Sequence, residues 1–461
     1  MISFLMLKDL FKIALPMVVG QLAFASMSFI DTVLMGQLGV EILAGGGLGA
    51  VVYQFFYIVG IGMLVATANL IAFAKGKSDA LAIQRALLSG AVVVLGLFFI
   101  FGGLIWQISP ILLLLGQSAE TVIYAEQYLQ VVVWSLLPAF GFILLRSLVL
   151  GLGDPSVILP VSIVAAFLNY PLSYALMTGM WGLPALGIQG VALGTCLISL
   201  LMFLGLVALV YQKPIFKEYP FWSKWELFSW KTFMETFKLG APIALAHAME
   251  IGMFSAAALL IGILGVNALA AHHVALQLTT LSFMVPLGLS QAVSVKVGEF
   301  YGARNLQNIR MVAICGLVLA TFSAFISGSL FWFAPEWLAS FFLSESLNNG
   351  ALDLSLAEYA EVNSIIISIL FVAALFQLVD GWQVNLMGVL RGFKLGASPT
   401  LAAIFSYWFI GFPCSYFLLS PFGAVGVWVG MGIGLALSAV ILAYLFKREL
   451  AKQSKINLGL W

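Results

Sequence analysis

The sequence predicts an all-α integral membrane protein with twelve transmembrane helices, arranged as two six-helix lobes related by a parallel pseudo-two-fold repeat. Three observations predict this fold: an apolar composition, twelve apolar stretches of span length, and an internal repeat. Of the 461 residues, 62% are hydrophobic and 8% are charged. Soluble domains contain about 45–50% apolar and about 25% charged residues. No soluble core buries so much apolar surface, so we expect a bilayer around the chain.

Twelve apolar stretches are long enough to cross a membrane, which takes about 20 residues in a helix. We expect no cleaved signal peptide, because the first stretch contains Asp31, has no convincing cleavage site and recurs in the second half of the chain. The predicted spans begin near Leu10, Leu43, Ala86, Val122, Val157, Leu186, Phe237, Ala268, Ile309, Val362, Ser398 and Phe422.

The positions of the basic residues predict the orientation of the chain, because Lys and Arg near span ends are retained on the cytoplasmic side. With the N-terminus inside, every Lys and Arg falls at the inner face, Arg146 and Arg391 among them. The six outer loops then contain no basic residue. We therefore expect a multi-pass protein of the plasma membrane with both termini in the cytoplasm.

The chain repeats itself. Residues 12–16 recur as residues 238–242, with Lys first and Pro last in both, and residues 169–174 resemble residues 411–416. Each half has six spans, an even number, so both halves enter the membrane from the same side as parallel repeats.

We therefore expect an N-terminal lobe at residues 1–212, a cytoplasmic connector at 213–236 and a C-terminal lobe at 237–461. The connector carries Trp222, Trp225 and Trp230 among lysines. This pattern is typical of a segment that lies against lipids at the inner interface of the membrane.

Three acids, Asp31, Glu250 and Asp380, lie deep within apolar stretches, and we predict no Lys or Arg beside them. An acid at the centre of a bilayer span costs about 2.5–3.5 kcal/mol, so a proton or a mobile cation is expected to complete such a site. The alternative is a protonated packing residue. None of the three has an acidic counterpart in the other half, which indicates two specialised lobes.

Several function classes are disfavoured. A net charge of +1 with scattered lysines argues against a nucleic-acid partner. Cys196, Cys315 and Cys414 are an odd number without metal-ligand spacing. Single acids on separate helices, without a nucleophile motif, disfavour a membrane enzyme, and we expect no cofactor. Two lobes without a filter-like repeat disfavour an ion channel.

The chain resembles the multidrug and toxic compound extrusion transporters, and within them the NorM-like branch, along essentially its whole length. The segments that carry the resemblance are Phe29-Ile-Asp-Thr-Val-Leu-Met-Gly36, Glu250, Ala270-Ala-His-His-Val-Ala-Leu276, Gln377-Leu-Val-Asp380 and Leu390-Arg-Gly392. The resemblance implies a bacterial inner-membrane antiporter that exports amphipathic, mostly cationic drugs or dyes in exchange for inward sodium or protons, by alternating access. We expect a monomer.

The resemblance also implies two sites. Glu250 and Asp380 would hold a monovalent cation or a proton in the C-terminal lobe. In the N-terminal lobe, Asp31 would anchor a polar site with the neutral residues Asn169, Ser173 and Thr195. His247 precedes Glu250 by three residues on the same helix face, and it either tunes proton transfer or is a plain hydrogen-bonded histidine.

This sequence departs from relatives at two positions. Phe376 stands where relatives often carry a Tyr, four residues before the tenth-span acid, and Ser173 replaces a common Asn or Asp. Sodium prefers several hard oxygen ligands, whereas a proton needs only a carboxylate. The departures at Phe376 and Ser173 slightly favour a proton over sodium as the coupling ion, without deciding between them.

Two further questions stay open at this point. A lipid-linked oligosaccharide flippase of the same superfamily is the alternative function, disfavoured because no Lys or Arg is predicted in the cavity to hold a pyrophosphate. Pro16 and Pro242, at equivalent places in the two lobes, act either as hinges or as packing residues.

Overall fold

A computed structural model describes residues 4–182, 184–219, 224–340 and 356–457 of the chain. Helices dominate this part of the chain, and it contains no strand. The first ten long helices are α1 (Phe4–Gln37), α2 (Val40–Gly76), α3 (Ala80–Trp106), α4 (Ala119–Gly151, with a 3₁₀ turn at Val133–Ser135), α5 (Ile158–Thr178), α6 (Ile188–Gln212), α7 (Trp230–Gly262), α8 (Val266–Gly302), α9 (Leu306–Phe333) and α10 (Leu356–Gly392).

The eleventh and twelfth predicted spans form one continuous helical stretch, Ala397–Ile456. Its backbone breaks at Gly423, where φ is 57° and ψ is −140°. Glycine adopts this conformation readily, whereas residues with a Cβ atom do not. We call residues 397–422 α11 and residues 424–457 α12. The two helices lie side by side, since a Cβ added to Gly430 would overlap the backbone nitrogen of Ser415. Eleven described helical stretches thus contain the twelve predicted spans.

The close packing of α11 against α12 gives a stability prediction. Gly430→Ala is expected to destabilise the protein by about 1–3 kcal/mol, because the added methyl group must displace backbone. Gly432→Ala is the matched control, since its nearest atom is a ring carbon of Phe376 at 3.8 Å. Thermal unfolding in detergent should show a lower melting temperature for the first variant only. Equal melting temperatures would contradict the packing of this helix pair.

Apolar side chains on the outer surfaces of the helices fit a lipid environment. Phe99 and Ile100 on α3 are exposed, as are Phe322 and Phe325 on α9. Each of the eleven helical stretches is long and apolar enough to cross a membrane. Large contiguous apolar surfaces are rare on soluble monomers. These surfaces are suited to contact with the hydrocarbon core of a bilayer.

The backbone repeats at the positions that the sequence repeat predicts. Gly39 and Gly265 precede α2 and α8 with φ of 125° and 115°. The Asp79 side chain caps α3 by accepting a hydrogen bond from the Ala82 amide, and Asn305, 226 residues after Asp79, caps α9 in the same way. Equivalent turns and equivalent N-caps therefore begin equivalent helices in both halves.

The chain divides into two compact units, one of residues 15–247 and one of residues 1–14 with 248–461. They differ from the predicted lobes in the first third of α1 and the first half of α7. Residues 230–247 of α7 belong with the first unit because α7 meets α2 without space for side chains. A Cβ on Gly62 would lie 2.7 Å from the Ala244 Cα, and one on Gly240 would lie 2.5 Å from the Met63 carbonyl oxygen.

The start of the predicted connector is hydrogen-bonded to the loop before α5. Lys213 Nζ donates hydrogen bonds to Asp154 at 2.5 Å and to Ser156 at 2.8 Å. Partial burial acts to raise the pKa of Asp154, but hydrogen bonds from Lys213 and Ser156 outweigh it and hold the pKa below its ordinary value. Trp225 and Trp230 are exposed, whereas Trp222 lies outside the described residues.

Candidate functional site

The four predicted polar residues of the N-terminal half gather around Asp31, which is 6% exposed. The Thr195 hydroxyl donates a hydrogen bond of 2.6 Å to Asp31 Oδ2, and Asn169 is a second polar neighbour of the Asp31 carboxyl group. Ser173 lies beside Gly194, next to Thr195, because a Cβ on Gly194 would overlap the Ser173 hydroxyl oxygen. Helices α1, α5 and α6 thus bring the four residues together.

Several buried polar atoms of this group have no hydrogen-bond partner within the described part of the chain. They are Asp31 Oδ1, both polar side-chain atoms of Asn169, and Ser173 Oγ. A buried polar atom without a partner is costly. The group is therefore suited to hold an exchangeable water, proton, small cation or substrate atom.

A cavity of about 70 Å³ opens beside Asp31, which is room for a few water molecules. One wall is aromatic. Phe24 stacks on Tyr57 with ring centroids 4.7 Å apart, and Tyr57 stacks on Tyr53 at 6.0 Å. The cavity is thus lined by stacked aromatic rings on one side and by a carboxylate.

Arg146 corrects one sequence-based prediction. We expected Arg146 at the inner face, away from the acids, but its side chain is buried and lines the same cavity as Asp31. The reason is its position within α4, five residues before the helix ends at Gly151, where the polar cavity accommodates a guanidinium. The N-terminal cavity therefore contains one positive and one negative side chain.

In the second unit, Glu250 of α7 and Asp380 of α10 lie at the same depth. Phe254 follows Glu250 by four residues and Phe376 precedes Asp380 by four, so each ring lies one turn from its acid. The two rings contact each other with centroids 6.3 Å apart. Two crossings, α8 and α9, separate α7 from α10, so α7 and α10 run in opposite directions and this contact places the two acids at one level. The two acids interact electrostatically.

Aromatic side chains cover this pair of acids on one side. The Phe376 ring contacts Trp428 of α12 with centroids 5.3 Å apart. Trp428 in turn donates a hydrogen bond of 3.1 Å from Nε1 to His272 Nδ1. This bond and the burial of His272 make the residue part of the packing between α8 and α12. The Asp380 side chain is 5% exposed, so little water reaches its carboxyl group.

Arg391 lies in the last turn of α10, near the span end where it was predicted. Its side chain is buried, and it interacts electrostatically with Glu250. Eleven residues complete about three helical turns, so Arg391 shares a helix face with Asp380 but lies about 16 Å further along the helix axis. A fixed positive charge therefore acts on this group from a distance.

His247 contacts α2 within the first unit. Its Cδ2 atom lies 3.0 Å from a Cβ added to Gly62, and the compact unit that contains it ends at this residue. Its predicted tuning of the Glu250 site stays a prediction.

The match to a known family decides the classification of the chain. The sequence model of the MatE family matches residues 16–175 and residues 242–417. The two segments cover well over half of the chain, and they start at the repeat-equivalent Pro16 and Pro242. The chain belongs to the MatE family.

Relatives and solved structures extend along nearly the whole MatE chain. It is 34% identical over 443 residues to a probable multidrug resistance protein NorM of Pseudomonas syringae pv. tomato, covering 96% of this chain and 94% of that one. It is 35% identical over 452 residues to the probable multidrug resistance protein NorM of Pseudomonas aeruginosa, covering 98% and 91%.

Solved structures share the fold of this MatE chain. The crystal structure of the eukaryotic MATE transporter AtDTX14 superimposes with a TM-score of 0.84 at 20% identity, covering 97% of each chain. A multidrug resistance MATE family transporter in an outward-facing conformation superimposes with a TM-score of 0.83 at 20% identity, covering 98% of this chain and 97% of that one. The predicted family and fold class are thereby confirmed.

Sequence reasoning missed two charged site residues in this MatE chain. Arg391 carried a readable signal, because its spacing of eleven residues from Asp380 places both on one helix face. Arg146 carried none beyond its place in an apolar helix. The positive-inside rule places basic residues near span ends but does not say whether a side chain turns into the protein.

Proposed function

We propose that this MatE protein is a multidrug efflux antiporter of the bacterial inner membrane, which exports amphipathic, mostly cationic compounds in exchange for inward sodium or protons. The observation that carries the proposal is the charge of the group formed by the half-buried Glu250 and the buried Asp380 and Arg391. The names of its relatives as multidrug resistance proteins support the export of drugs.

The charge of this group requires a mobile partner. With both acids ionised, two negative charges face the one fixed positive charge of Arg391, which stays protonated in proteins. The remaining single negative charge is costly in a buried site. One monovalent cation or one proton neutralises it, so we expect one coupling charge to bind there in each cycle.

Competition between cation and drug is enough for exchange. If the occupants of the acidic sites exclude one another, loading one of them releases the other. Transport also requires that each occupant favour one of the two access states, since a ligand with equal affinity for both shifts nothing. The protein is expected to work as a monomer in contact with lipids, with both termini in the cytoplasm.

The flippase alternative was disfavoured because no Lys or Arg was predicted in the cavity. Arg146, however, lines the N-terminal cavity and supplies a positive charge there. Asp31 lines the same cavity and offsets that charge. A pyrophosphate carries at least two negative charges and would meet no net positive charge there. The aromatic wall and the acid favour a cationic amphiphile over a lipid pyrophosphate.

Purified protein in proteoliposomes tests the proposal. Ethidium movement should be driven by a sodium gradient alone or by a pH gradient alone, and it should stop when both gradients are collapsed. Movement that is independent of both gradients, or movement of a lipid pyrophosphate instead of ethidium, would refute antiport of cationic drugs.

The fixed charge of Arg391 gives a further prediction. Arg391→Gln leaves the acids with two negative charges, so the coupling cation should bind more tightly. We expect its half-maximal concentration for transport to fall at least about tenfold, in line with the effect of one nearby charge, while maximal turnover drops because release is slower. Lys394→Gln, which removes a charge three residues further on, is the control. An unchanged half-maximal concentration in Arg391→Gln would contradict the charge assignment.

A further inference from the structure

An apolar groove opens on the surface of the second unit, where α9 and α12 both pack along α10 but barely touch each other. Its volume is about 540 Å³. It extends from Ile314 to Thr321 on α9 and from Ala436 to Phe446 on α12, with Trp382 of α10 between them. From Ala436 to Phe446 the helix rises about 15 Å, which is about half of the hydrocarbon thickness of a bilayer. The groove therefore has the length of one lipid leaflet.

The lining of the groove offers contact with hydrocarbon. Its two polar side chains bond to each other, because the Trp382 indole Nε1 donates a hydrogen bond of 2.8 Å to the Thr321 hydroxyl oxygen. The Thr321 hydroxyl in turn donates a hydrogen bond of 2.8 Å to the Leu317 carbonyl oxygen. Val440, which also lines the groove, is 67% exposed. The groove is therefore suited to an alkyl chain that enters from the surrounding lipid.

The equivalent place in the first unit is filled by a side chain. Gly187 before α6 and Gly423 before α12 have nearly the same backbone conformation, with φ of 53° and 57° and ψ of −128° and −140°. They lie 236 residues apart, and at this offset Ala439 of the groove corresponds to Phe203 of α6. The Phe203 ring packs on α4, since a Cβ on Gly141 would lie 2.8 Å from it. The small side chain of Ala439 thus leaves open a space that a ring occupies in the first unit.

Two basic residues continue the walls of the groove at one end. Arg310 lies four residues before the first groove residue of α9, and Lys447 lies four residues after Ala443 of α12, so each is one helical turn beyond the groove on the same helix face. Both are exposed, and neither forms a salt bridge with a described residue. The equivalent positions of the first unit are the uncharged Gln84 and Tyr211. The repeat by itself therefore does not account for the two charges.

Both charges lie at the same membrane face. The four crossings from α9 to α12 are an even number, so α12 ends on the side where α9 begins. The positive-inside rule predicts that this side is cytoplasmic. The groove thus extends from a basic rim at the cytoplasmic interface into the inner leaflet.

We propose that an anionic phospholipid of the cytoplasmic leaflet binds here, with one acyl chain in the groove and its phosphate between Arg310 and Lys447. Basic positions between membrane helices at the cytoplasmic side bind anionic lipid head groups. The groove contacts the chain, and the two cations select the charge of the head group. Binding of this lipid does not depend on the antiport proposed above.

Lipid binding to the purified full-length protein tests the head-group contact. Native mass spectrometry measures the affinities for phosphatidylglycerol and for phosphatidylethanolamine with the same acyl chains. We expect the original protein to bind phosphatidylglycerol at least about tenfold more tightly, because basic residues at the membrane surface attract anionic lipids. The double variant Arg310→Gln, Lys447→Gln should lose this preference. The double variant Arg448→Gln, Lys452→Gln removes two charges from a different face of α12 and should keep it.

Filling the groove tests the contact with the acyl chain. Ala443→Phe places a ring in the groove, as Phe203 does in the first unit. Affinity for both lipids should fall at least about tenfold, because burial of each CH₂ group contributes to lipid binding. Ala443 is exposed, so this variant should keep its melting temperature in lipid-free detergent. Leu401→Phe, at an exposed position of α11 outside the groove, should bind both lipids normally.

Four results would overturn the proposal. Two of them are equal affinity of the original protein for the two lipids, and a preference that survives in Arg310→Gln, Lys447→Gln. The third is an equal loss of preference in Arg448→Gln, Lys452→Gln, which would indicate general attraction to a basic surface. The fourth is normal phosphatidylglycerol binding by Ala443→Phe, which would indicate head-group binding without the groove.

Discussion

Glu250→Gln and Asp380→Asn should each lower ethidium efflux at least about 100-fold, to the level of cells without the transporter. Either change removes a carboxylate charge from the buried group and leaves Arg391 opposite a single acid. The group is then neutral without a cation, so nothing draws the coupling ion into the site. A 100-fold change corresponds to about 2.7 kcal/mol.

Dye efflux from energised, drug-sensitive cells measures this effect, with the amount of protein in the membrane determined in parallel. Glu120→Gln is the matched control, because Glu120 is an exposed acid in the first turn of α4. Its variant should export ethidium normally. Unimpaired efflux by both site variants would remove the C-terminal acids from the mechanism.

Asp31→Asn should lower transport at least about tenfold and weaken ethidium binding. The substitution replaces the charged acceptor of a short hydrogen bond from Thr195 by a neutral amide and removes the negative charge that shares a cavity with Arg146. A hydrogen bond to a charged group contributes about 1.5–3 kcal/mol, and the cavity also becomes positive, which repels a cationic dye.

Thr195→Val separates the two contributions in the N-terminal cavity. It removes the hydrogen bond but keeps the Asp31 charge, so its dye affinity should lie between those of the original protein and Asp31→Asn. Equilibrium ethidium binding to purified protein measures all three. Normal binding and transport by Asp31→Asn would assign this acid to packing.

The helical framework could be predicted from the sequence because its signals are local or repeated. Apolar length predicted each span, and the observed helices begin within about two turns of the predicted residues. The repeat of Pro16 as Pro242 predicted equivalent halves, and the glycine turns at Gly39 and Gly265 confirm them. Most spans were predicted to start a few residues late.

The span boundaries did not predict which residues belong to each compact unit. The sequence shows where an apolar stretch starts, but it does not show which neighbour each half of a long helix packs against. The first half of α7 belongs with residues 15–247 because Gly62 and Gly240 allow two backbones to approach closely. Such an approach requires glycines that face each other from segments distant in the sequence. Neither segment alone indicates that the other will pack against it.

The candidate sites were predicted in part. Buried acids stand out in apolar stretches, so Asp31, Glu250 and Asp380 were found, and family resemblance supplied Thr195. Arg146 and Arg391 were missed because they lie close to span ends, where the charge rule assigns basic residues to the surface.

Competition between drug and cation at equilibrium tests the central claim most directly. Ethidium affinity of the purified protein is measured over a range of sodium concentrations at fixed pH, and over a range of pH without sodium. The account predicts that at least one of the two cations raises the apparent dissociation constant of ethidium in proportion to its concentration. It also predicts that the double variant Glu250→Gln, Asp380→Asn loses this dependence. An ethidium affinity that neither sodium nor pH changes in the original protein would contradict the account.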